Sequence, residues 1–298
     1  MEKVNLEKDY RKSGEGANGD SYDCLADENI MLKLYNPGYP VRMIEEELEL
    51  AMKVYDLGIP SPEPGQLVTD GKRVGIRFQR VIGKRSFARM ISQEPQRLEE
   101  YTREFAGYCK KLHSTPCPDG MFPDAKQQFR HFLKLDRVFD DSEKSLMNDF
   151  IDLVPDCNTA VHGDMHIGNL ISTLPAGAPL SQEHTVNFID LGLFAQGCPL
   201  LDIGMMQIVC FFSDEEFRRE SFHLTGDQTH AVWDVFVDEY FYSDDHAAEK
   251  WFGPGATPQA VFDGIRPYSS LKLFLVAHNS GVLFPHFEQV IRQTFGFV

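Results

Sequence analysis

Val161-His162-Gly163-Asp164-Met165-His166-Ile167-Gly168-Asn169-Leu170-Ile171-Ser172, followed after a loop by Thr185-Val186-Asn187-Phe188-Ile189-Asp190-Leu191-Gly192, is the stretch on which the reading of this chain turns. Four polar residues, His162, Asp164, Asn169 and Asp190, stand among apolar ones. Val161-His162 and Asn169–Ser172 flank a tight Gly163-Asp164 turn, and Thr185–Ile189 reads as a second short strand ending on Asp190. A hairpin of these strands would bring Asn169 near Asp190, with Asp164 on the preceding loop. Two carboxylates and an amide make a set of hard oxygen donors suited to Mg²⁺. They would also hold a metal-bound triphosphate while one carboxylate takes a proton from an incoming hydroxyl, as a phosphoryl-transfer site requires.

Upstream, residues 7–35 read as an antiparallel meander with strands near Glu7–Lys12, Ser21–Leu25 and Ile30–Tyr35. Its first turn, Gly14-Glu15-Gly16-Ala17-Asn18-Gly19, is a G-x-G-x-x-G followed by strand alternation, whereas the dinucleotide form opens a helix. Two strands joined by glycines make a flap whose backbone N–H groups can lie over phosphates. Lys33, within Met31-Leu32-Lys33-Leu34-Tyr35, either guards an edge strand or holds α/β-phosphates. The second role needs a carboxylate. Val41–Leu57 has a helical stripe of Ile44, Leu48, Ala51, Met52 and Tyr55, and Glu47, beside that stripe, is the expected partner.

Gly58-Ile59-Pro60-Ser61-Pro62-Glu63-Pro64 ends that helix. Strands Gly65–Thr69 and Arg73–Val81 follow, joined by an Asp70-Gly71 turn. Residues 1–81 are thus expected to form a small, mostly antiparallel sheet with one helix, and Ile82-Gly83-Lys84-Arg85 a hinge. Beyond it, helices are expected at Leu98–His113, Ala125–Val138, Asp141–Leu153, Ile203 to about Phe212, Gln228–Tyr242, Pro258–Ile265, Tyr268–Leu283 and from Pro285 onward.

Composition narrows the partners. A net charge of −16 argues against nucleic acid and anionic membrane surfaces. No run of about 18 apolar residues suggests a spanning helix. The charged start, Met1-Glu2-Lys3-Val4-Asn5, is unlike a signal peptide, so a cytoplasmic location is expected. Six scattered cysteines without C-x-x-C read as reduced thiols rather than a disulfide framework or zinc site. Between Phe211 and Lys250, eleven Asp or Glu residues face only Arg218, Arg219 and Lys250. That excess is either a solvated face or a pocket for a cationic substrate.

In chain order, Gly14–Gly19, Lys33, Glu47, His162-Gly163-Asp164 with Asn169, and Asp190-Leu191-Gly192 resemble a protein-kinase-like phosphotransferase. The form His-Gly-Asp-x-x-x-x-Asn is similar to the aminoglycoside phosphotransferase and choline kinase superfamily. So are Gly58-Ile59-Pro60-Ser61-Pro62, Leu112-His113 and Gly197-Cys198-Pro199-Leu200-Leu201-Asp202. The resemblance covers roughly residues 10–210. It implies an α+β, bilobal protein-kinase-like fold, with a small antiparallel-sheet lobe at 1–82 and a larger, mainly helical lobe at 83–298. It also implies ATP and Mg²⁺ as cofactors, with Asp164 orienting and deprotonating the acceptor hydroxyl and Asn169 and Asp190 binding Mg²⁺. Lys33, held by Glu47, would bind α/β-phosphates under Gly14, Gly16 and Gly19, and backbone groups around Gln79–Val81 would face the adenine. Asp202 would brace the catalytic loop, within which His162 packs.

Departures from protein kinases point to a small-molecule acceptor. Gly163 replaces the arginine that pairs with a phosphorylated activation loop. Nine residues between Gly192 and Asp202 leave no room for a peptide-docking segment, and no Ala-Pro-Glu follows. An atypical protein kinase or a nucleotide-binding regulator is the alternative, although a regulator is expected to have lost Lys33, Asp164 or Asp190. A metallohydrolase using His162, Asp164 and His166 would need further His clusters that the chain lacks.

Overall fold

The computed structural model describes residues 1–16, 18–243, 247–280 and 284–296. Its strands are β1 (Glu2–Lys3), β2 (Tyr10–Gly16), β3 (Gly19–Cys24), β4 (Ile30–Tyr35), β5 (Pro64–Thr69), β6 (Val74–Gln79), β7 (Arg85–Ser86), β8 (Ala160–Val161), β9 (Leu170–Ser172), β10 (Val186–Phe188) and β11 (Ala195–Gln196). The helices are α1 (Leu6–Asp9), α2 (Val41–Asp56), α3 (Phe87–Gln93), α4 (Leu98–His113), α5 (Ala125–Leu135), α6 (Asp141–Leu153), α7 (Leu200–Gln207), α8 (Glu215–Phe217), α9 (Gly226–Val237), α10 (Ala247–Phe252), α11 (Pro258–Ser280) and α12 (Pro285–Phe295). This is an α+β fold. No helix of the described residues is long and apolar enough to cross a membrane.

Two compact units divide the chain: Met1–Arg85 with Leu170–Leu193, and Ser86–Asn169 with Phe194–Val298. In the first, six strands are ordered β1-β5-β6-β4-β3-β2. All their pairings are antiparallel except β1 with β5, which is parallel. β4 is central, and its alternation sorts its side chains. Leu32 and Leu34 are buried with Val4, Tyr10 and Val68, while Tyr35 packs with Ile44 of α2 and Ile76. β9 and β10 form an antiparallel pair in the same unit, with Leu170 opposite Phe188.

Several local expectations change. The strand expected from Glu7 starts at Tyr10, because Asn5 caps α1 by accepting the Lys8 N–H at 3.2 Å. Gly14 and Gly16 lie within β2 and Gly19 opens β3, while Ala17 of the expected turn is outside the described residues. Leu170–Ser172 pairs with Val186–Phe188, as the expected hairpin has it, while β8, which holds Val161, pairs with β11. α3 was not foreseen. Its start is capped by Ser86, which accepts the Arg89 N–H at 3.1 Å.

In the second unit, helices pack around aromatic side chains, with Phe105 of α4 lying 5.9 Å from both Phe87 and Phe236. The two helices expected at 258–265 and 268–283 are one, α11, with Pro267 inside it. Proline removes one helical donor. Here Val261 and Ile265 before it and Leu271 and Phe274 after it are all buried, so tertiary packing holds both halves on one axis. Residues 281–283 of that expectation lie outside the described residues. Gly204 of α7 permits close approach to α11: a Cβ there would come within 2.8 Å of the Ser269 nitrogen.

Candidate active site

In the first unit, strand alternation decides where Lys33 goes. Flanked by buried Leu32 and Leu34, it projects to the opposite face, where α2 packs. Its Nζ donates to Glu47 Oε1 at 2.8 Å and to Asp190 Oδ1 at 2.7 Å. Glu47 is three residues after buried Ile44, so the helical period puts it at the edge of the packed stripe. Burial opposes the charge on Lys33, but the Asp190 and Glu47 carboxylates outweigh it and hold its pKa well above the usual lysine value. The side chain therefore stays cationic. Asp190 has a left-handed backbone, φ 58°, and its side chain is 51% exposed. A non-glycine residue held there is the kind of local strain that clusters at functional sites. Gly192 leaves space for the carboxylate partner, since a Cβ would sit 3.2 Å from Glu47 Oε2.

The glycines of the hairpin differ in their reasons. A Cβ at Gly19 would lie 2.3 Å from the Leu34 carbonyl oxygen, so this glycine is required by the approach of β4. A Cβ at Gly16 would lie 3.3 Å from the Gly19 oxygen, and one at Gly14 would make an ordinary contact with Ser21. Near the adenine-facing residues proposed by the sequence, Gln79 N–H donates to Glu63 O at 2.8 Å and Arg80 N–H to Asn29 O at 2.7 Å. Val81 N–H has no partner among the described residues.

The second unit holds the His162-Gly163-Asp164 loop. Met165 and Ile167 are buried, whereas Asp164 and His166 keep partial exposure, so the apolar side chains anchor the loop. Ile167 O also accepts the Ala88 N–H of α3 at 2.9 Å. Asn169 Nδ2 donates to Asp164 O at 2.9 Å and to Asp164 Oδ2 at 3.1 Å, so its Oδ1 is left as a donor atom for a ligand. His162 Nδ1 accepts the Asp164 N–H at 3.3 Å, and His166 Nδ1 accepts the Gly168 N–H at 3.0 Å. Both histidines thus serve the loop's own backbone.

Asp202 is fully buried under this loop. Its Oδ2 accepts the His162 N–H at 2.6 Å and its Oδ1 the Gly163 N–H at 2.8 Å. His113 Nε2 is 3.1 Å from Oδ2, and the Tyr240 hydroxyl is 2.8 Å from His113 Nδ1. Burial favours the neutral acid, yet the His113 hydrogen bond, with the charges of His113, Lys272 and His162, lowers the Asp202 pKa. With Asp202 ionised, His113 Nε2 is the donor.

Lys272 escaped the sequence reading. It lies in α11 among apolar residues, as a core helix would show them, and only its burial marks it. Its Nζ donates to Gly163 O, so Asp202 and Lys272 grip the two sides of one residue, which itself sits at φ 86°. The gripped carbonyl belongs to the peptide that carries Asp164. Burial lowers the Lys272 pKa, opposed by the Asp202 and Asp164 carboxylates. Lys272→Met leaves the Gly163 oxygen and the buried Asp202 carboxylate each short of a partner. Thermal stability is expected to fall, and kcat, measured where the variant is fully folded, to fall by about 10²-fold, the cost of roughly 1 Å of misplacement. Circular-dichroism melts alongside steady-state kinetics check this; parent-like kcat in the folded variant would assign Lys272 to the scaffold alone.

Asn169 Oδ1 and the Asp190 carboxylate are hard oxygen donors, and the donation of both Asn169 amide hydrogens to Asp164 leaves the Asn169 oxygen as the amide's accepting atom. Each fits Mg²⁺. Among the described residues no group of three or more His, Cys, Asp or Glu side chains is arranged to hold a metal.

A family model described as "Phosphotransferase enzyme family" matches residues 9–236. No curated protein matches the sequence. Among solved structures, the gentamicin–APH(2'')-IIa complex is similar at 14% identity over 100% of each chain, with a TM-score of 0.59. An aminoglycoside phosphotransferase APH(4)-Ia, in ternary complex with ADP and hygromycin B, is 11% identical over 97% of this chain and 92% of its own, with a TM-score of 0.58. Aminoglycoside phosphotransferase APH(3'')-Id from Streptomyces rimosus is 16% identical over 87% and 92%, with a TM-score of 0.51. At such identities the likeness is one of fold.

Proposed function

Because the chain belongs to the phosphotransferase enzyme family, we propose that it transfers the γ-phosphoryl group of ATP to a hydroxyl of a small amine-bearing or polyhydroxylated molecule. Asp164 carries this reading: its backbone is held on all sides, yet its side chain remains 32% exposed with Asn169 steadying one oxygen. Such a carboxylate is oriented in advance and still reachable by a hydroxyl. It accepts the acceptor's proton as the oxygen attacks phosphorus. Lys33, permanently cationic, binds the α/β-phosphates, and Glu47 keeps it in place. Gly14, Gly16 and Gly19 present backbone N–H groups to the same phosphates, and Val81 offers its N–H to the adenine. Asn169 and Asp190 would each offer a hard oxygen to Mg²⁺, which would supply positive charge for the phosphate oxygens.

Two facts bear on the acceptor. Part of the acidic excess in residues 211–250 is spent internally, since Asp238 and Glu239 pair with Arg103 and Glu215 with Arg219. Asp227 and Asp234 remain exposed. Complexes of similar fold hold gentamicin or hygromycin B, both amine-bearing polyols, and one also holds ADP. We place the reaction in the cytoplasm, without nucleic-acid or membrane partners.

The test is ATP consumption with Mg²⁺ against aminoglycosides, amino sugars, amino alcohols and sugars, with Asp164→Asn as the blank. Turnover with one class that is absent from the variant supports the reading and names the acceptor. Mg²⁺–ATP binding without turnover on any acceptor, while a protein substrate is phosphorylated, would overturn the acceptor class.

A further inference from the structure

His166 lies two residues beyond Asp164 on the same loop, and only one of its ring nitrogens is spent on that loop. Nδ1 accepts the Gly168 N–H at 3.0 Å. A ring nitrogen that accepts a backbone hydrogen bond carries no proton, so the imidazole's one proton sits on Nε2. That N–H has no hydrogen-bond acceptor among the described residues. It stands 3.8 Å from Asp164 Oδ2, too long for a direct bond, on a side chain that is 15% exposed.

The ring has little freedom to turn away. Phe222 meets it edge-on, with ring centroids 5.1 Å apart and planes at 74°. Gly168 presses on both rings: a Cβ there would come within 2.9 Å of His166 Nδ1 and Cε1 and 3.1 Å of Phe222 Cε1. Phe222 is buried and closes a π-helical turn at Arg218–Phe222, a wide coil frequent at functional sites. Loop support uses Nδ1 alone and gives the fixed Nε2 no purpose.

The 3.8 Å gap has a definite use. One oxygen atom can lie about 2.8 Å from both Nε2 and Asp164 Oδ2, off the line between them. An alcohol suits that position, because it donates its hydrogen to the carboxylate and accepts the imidazole N–H on one lone pair. Its other lone pair is left for phosphorus. An ammonium group has no lone pair to accept that N–H, so the pair of residues selects a hydroxyl over the charged amines of the same acceptor.

We propose that His166 is a second catalytic residue, forming with Asp164 a two-point cradle for the acceptor hydroxyl. The proposal rests on the reading of Asp164 as the base of phosphoryl transfer. As the hydroxyl oxygen bonds to the γ-phosphorus, its proton passes to Asp164. The bond from the γ-phosphorus to the bridging oxygen breaks, and ADP leaves with that electron pair. His166 neither gains nor loses a proton; its N–H steadies the charge that grows on the attacking oxygen.

Two variants divide the ring's two nitrogens. His166→Asn keeps an oxygen near the Nδ1 position for the Gly168 N–H and removes the outer donor. His166→Gln places an amide N–H near the Nε2 position and gives up the loop bond. Both, with the parent and Asp164→Asn, are assayed for Mg²⁺–ATP turnover with gentamicin and with water as the only acceptor, beside thermal melts. Whichever acceptor the parent uses is the readout. His166→Asn is expected to melt and to bind Mg²⁺–ATP like the parent but to lose about 10²-fold in kcat, the usual cost of one donor at a charge-bearing oxygen. His166→Gln is expected to melt lower yet to regain about tenfold or more of that loss. In the parent, two-bond ¹H–¹⁵N spectra of labelled histidine are expected to place the His166 proton on Nε2. Parent-like kcat in His166→Asn, a proton on Nδ1, or a His166→Gln no faster than His166→Asn overturns the role of His166 and leaves that of Asp164 standing. Parent-like turnover in Asp164→Asn, or a parent that uses neither acceptor, overturns the phosphotransfer reading and this role with it.

Discussion

Asp164→Asn is expected to bind Mg²⁺–ATP nearly as the parent does and to lose turnover by about 10²–10⁴-fold, the span of general-base contributions. The substitution preserves shape and leaves the loop's other supports intact, namely the Asp202 and Lys272 contacts to Gly163 and the burial of Met165 and Ile167. What goes is the carboxylate proposed to take the acceptor proton. An amide cannot accept that proton, while its carbonyl oxygen can still accept from Asn169 Nδ2, which reaches Oδ2 at 3.1 Å. Nucleotide affinity by calorimetry and kcat by coupled assay are the two readouts. A parallel fall in both would mean that Asp164 serves binding rather than proton transfer.

Asp202→Asn has the other large expected effect, and it strikes stability and catalysis together. Both carboxylate oxygens accept backbone N–H groups, so whichever way the amide is turned, an NH₂ faces a donor. One buried contact becomes repulsive, and the His113 and Lys272 partners lose their counter-charge. Breaking a buried charged network by removing one partner costs about 3–5 kcal/mol, which for a chain of this size corresponds to a melting-temperature drop of the order of 10 °C. The pH dependence has a definite sign. Because the folded-state pKa of Asp202 is lowered, its contribution is present above the unfolded value of about 3.9 and is lost as pH falls through the folded value. Thermal melts followed into acid should therefore show the gap between parent and variant narrowing below about pH 4. A gap that persists unchanged would mean that Asp202 acts through shape and not charge.

Much of the site was legible because its chemistry is local. Asp164 and Asn169 lie five residues apart on one loop and meet through the amide, as two side chains of one short turn can. The Lys33–Glu47 pair was legible for a different reason. Strand period 2 and helix period 3.6 each name a packed face, and a charged residue at the edge of each face has few partners to choose from. Asp190 joined that pair through a left-handed backbone that no periodicity announces. Lys272 was illegible because a buried lysine in a helix looks, in sequence, like any residue at a position between apolar ones. Only the Gly163 carbonyl, 109 positions away, gives it a purpose. Pro267 misled in the opposite sense: local rules end a helix there, whereas burial on both sides carries α11 through it.

By itself, then, the sequence determined the family, the α+β class, and the order and chemical types of the residues proposed to bind phosphate and take the proton, since these are carried by motifs, local period and short spacings. Tertiary structure alone decided which strand pairs with which, that residues 170–193 return to the first unit, and that Asp202 and Lys272 hold Gly163 from two sides. Those are contacts between residues far apart in the chain, and their energies come from burial and desolvation, which no local pattern of residues encodes.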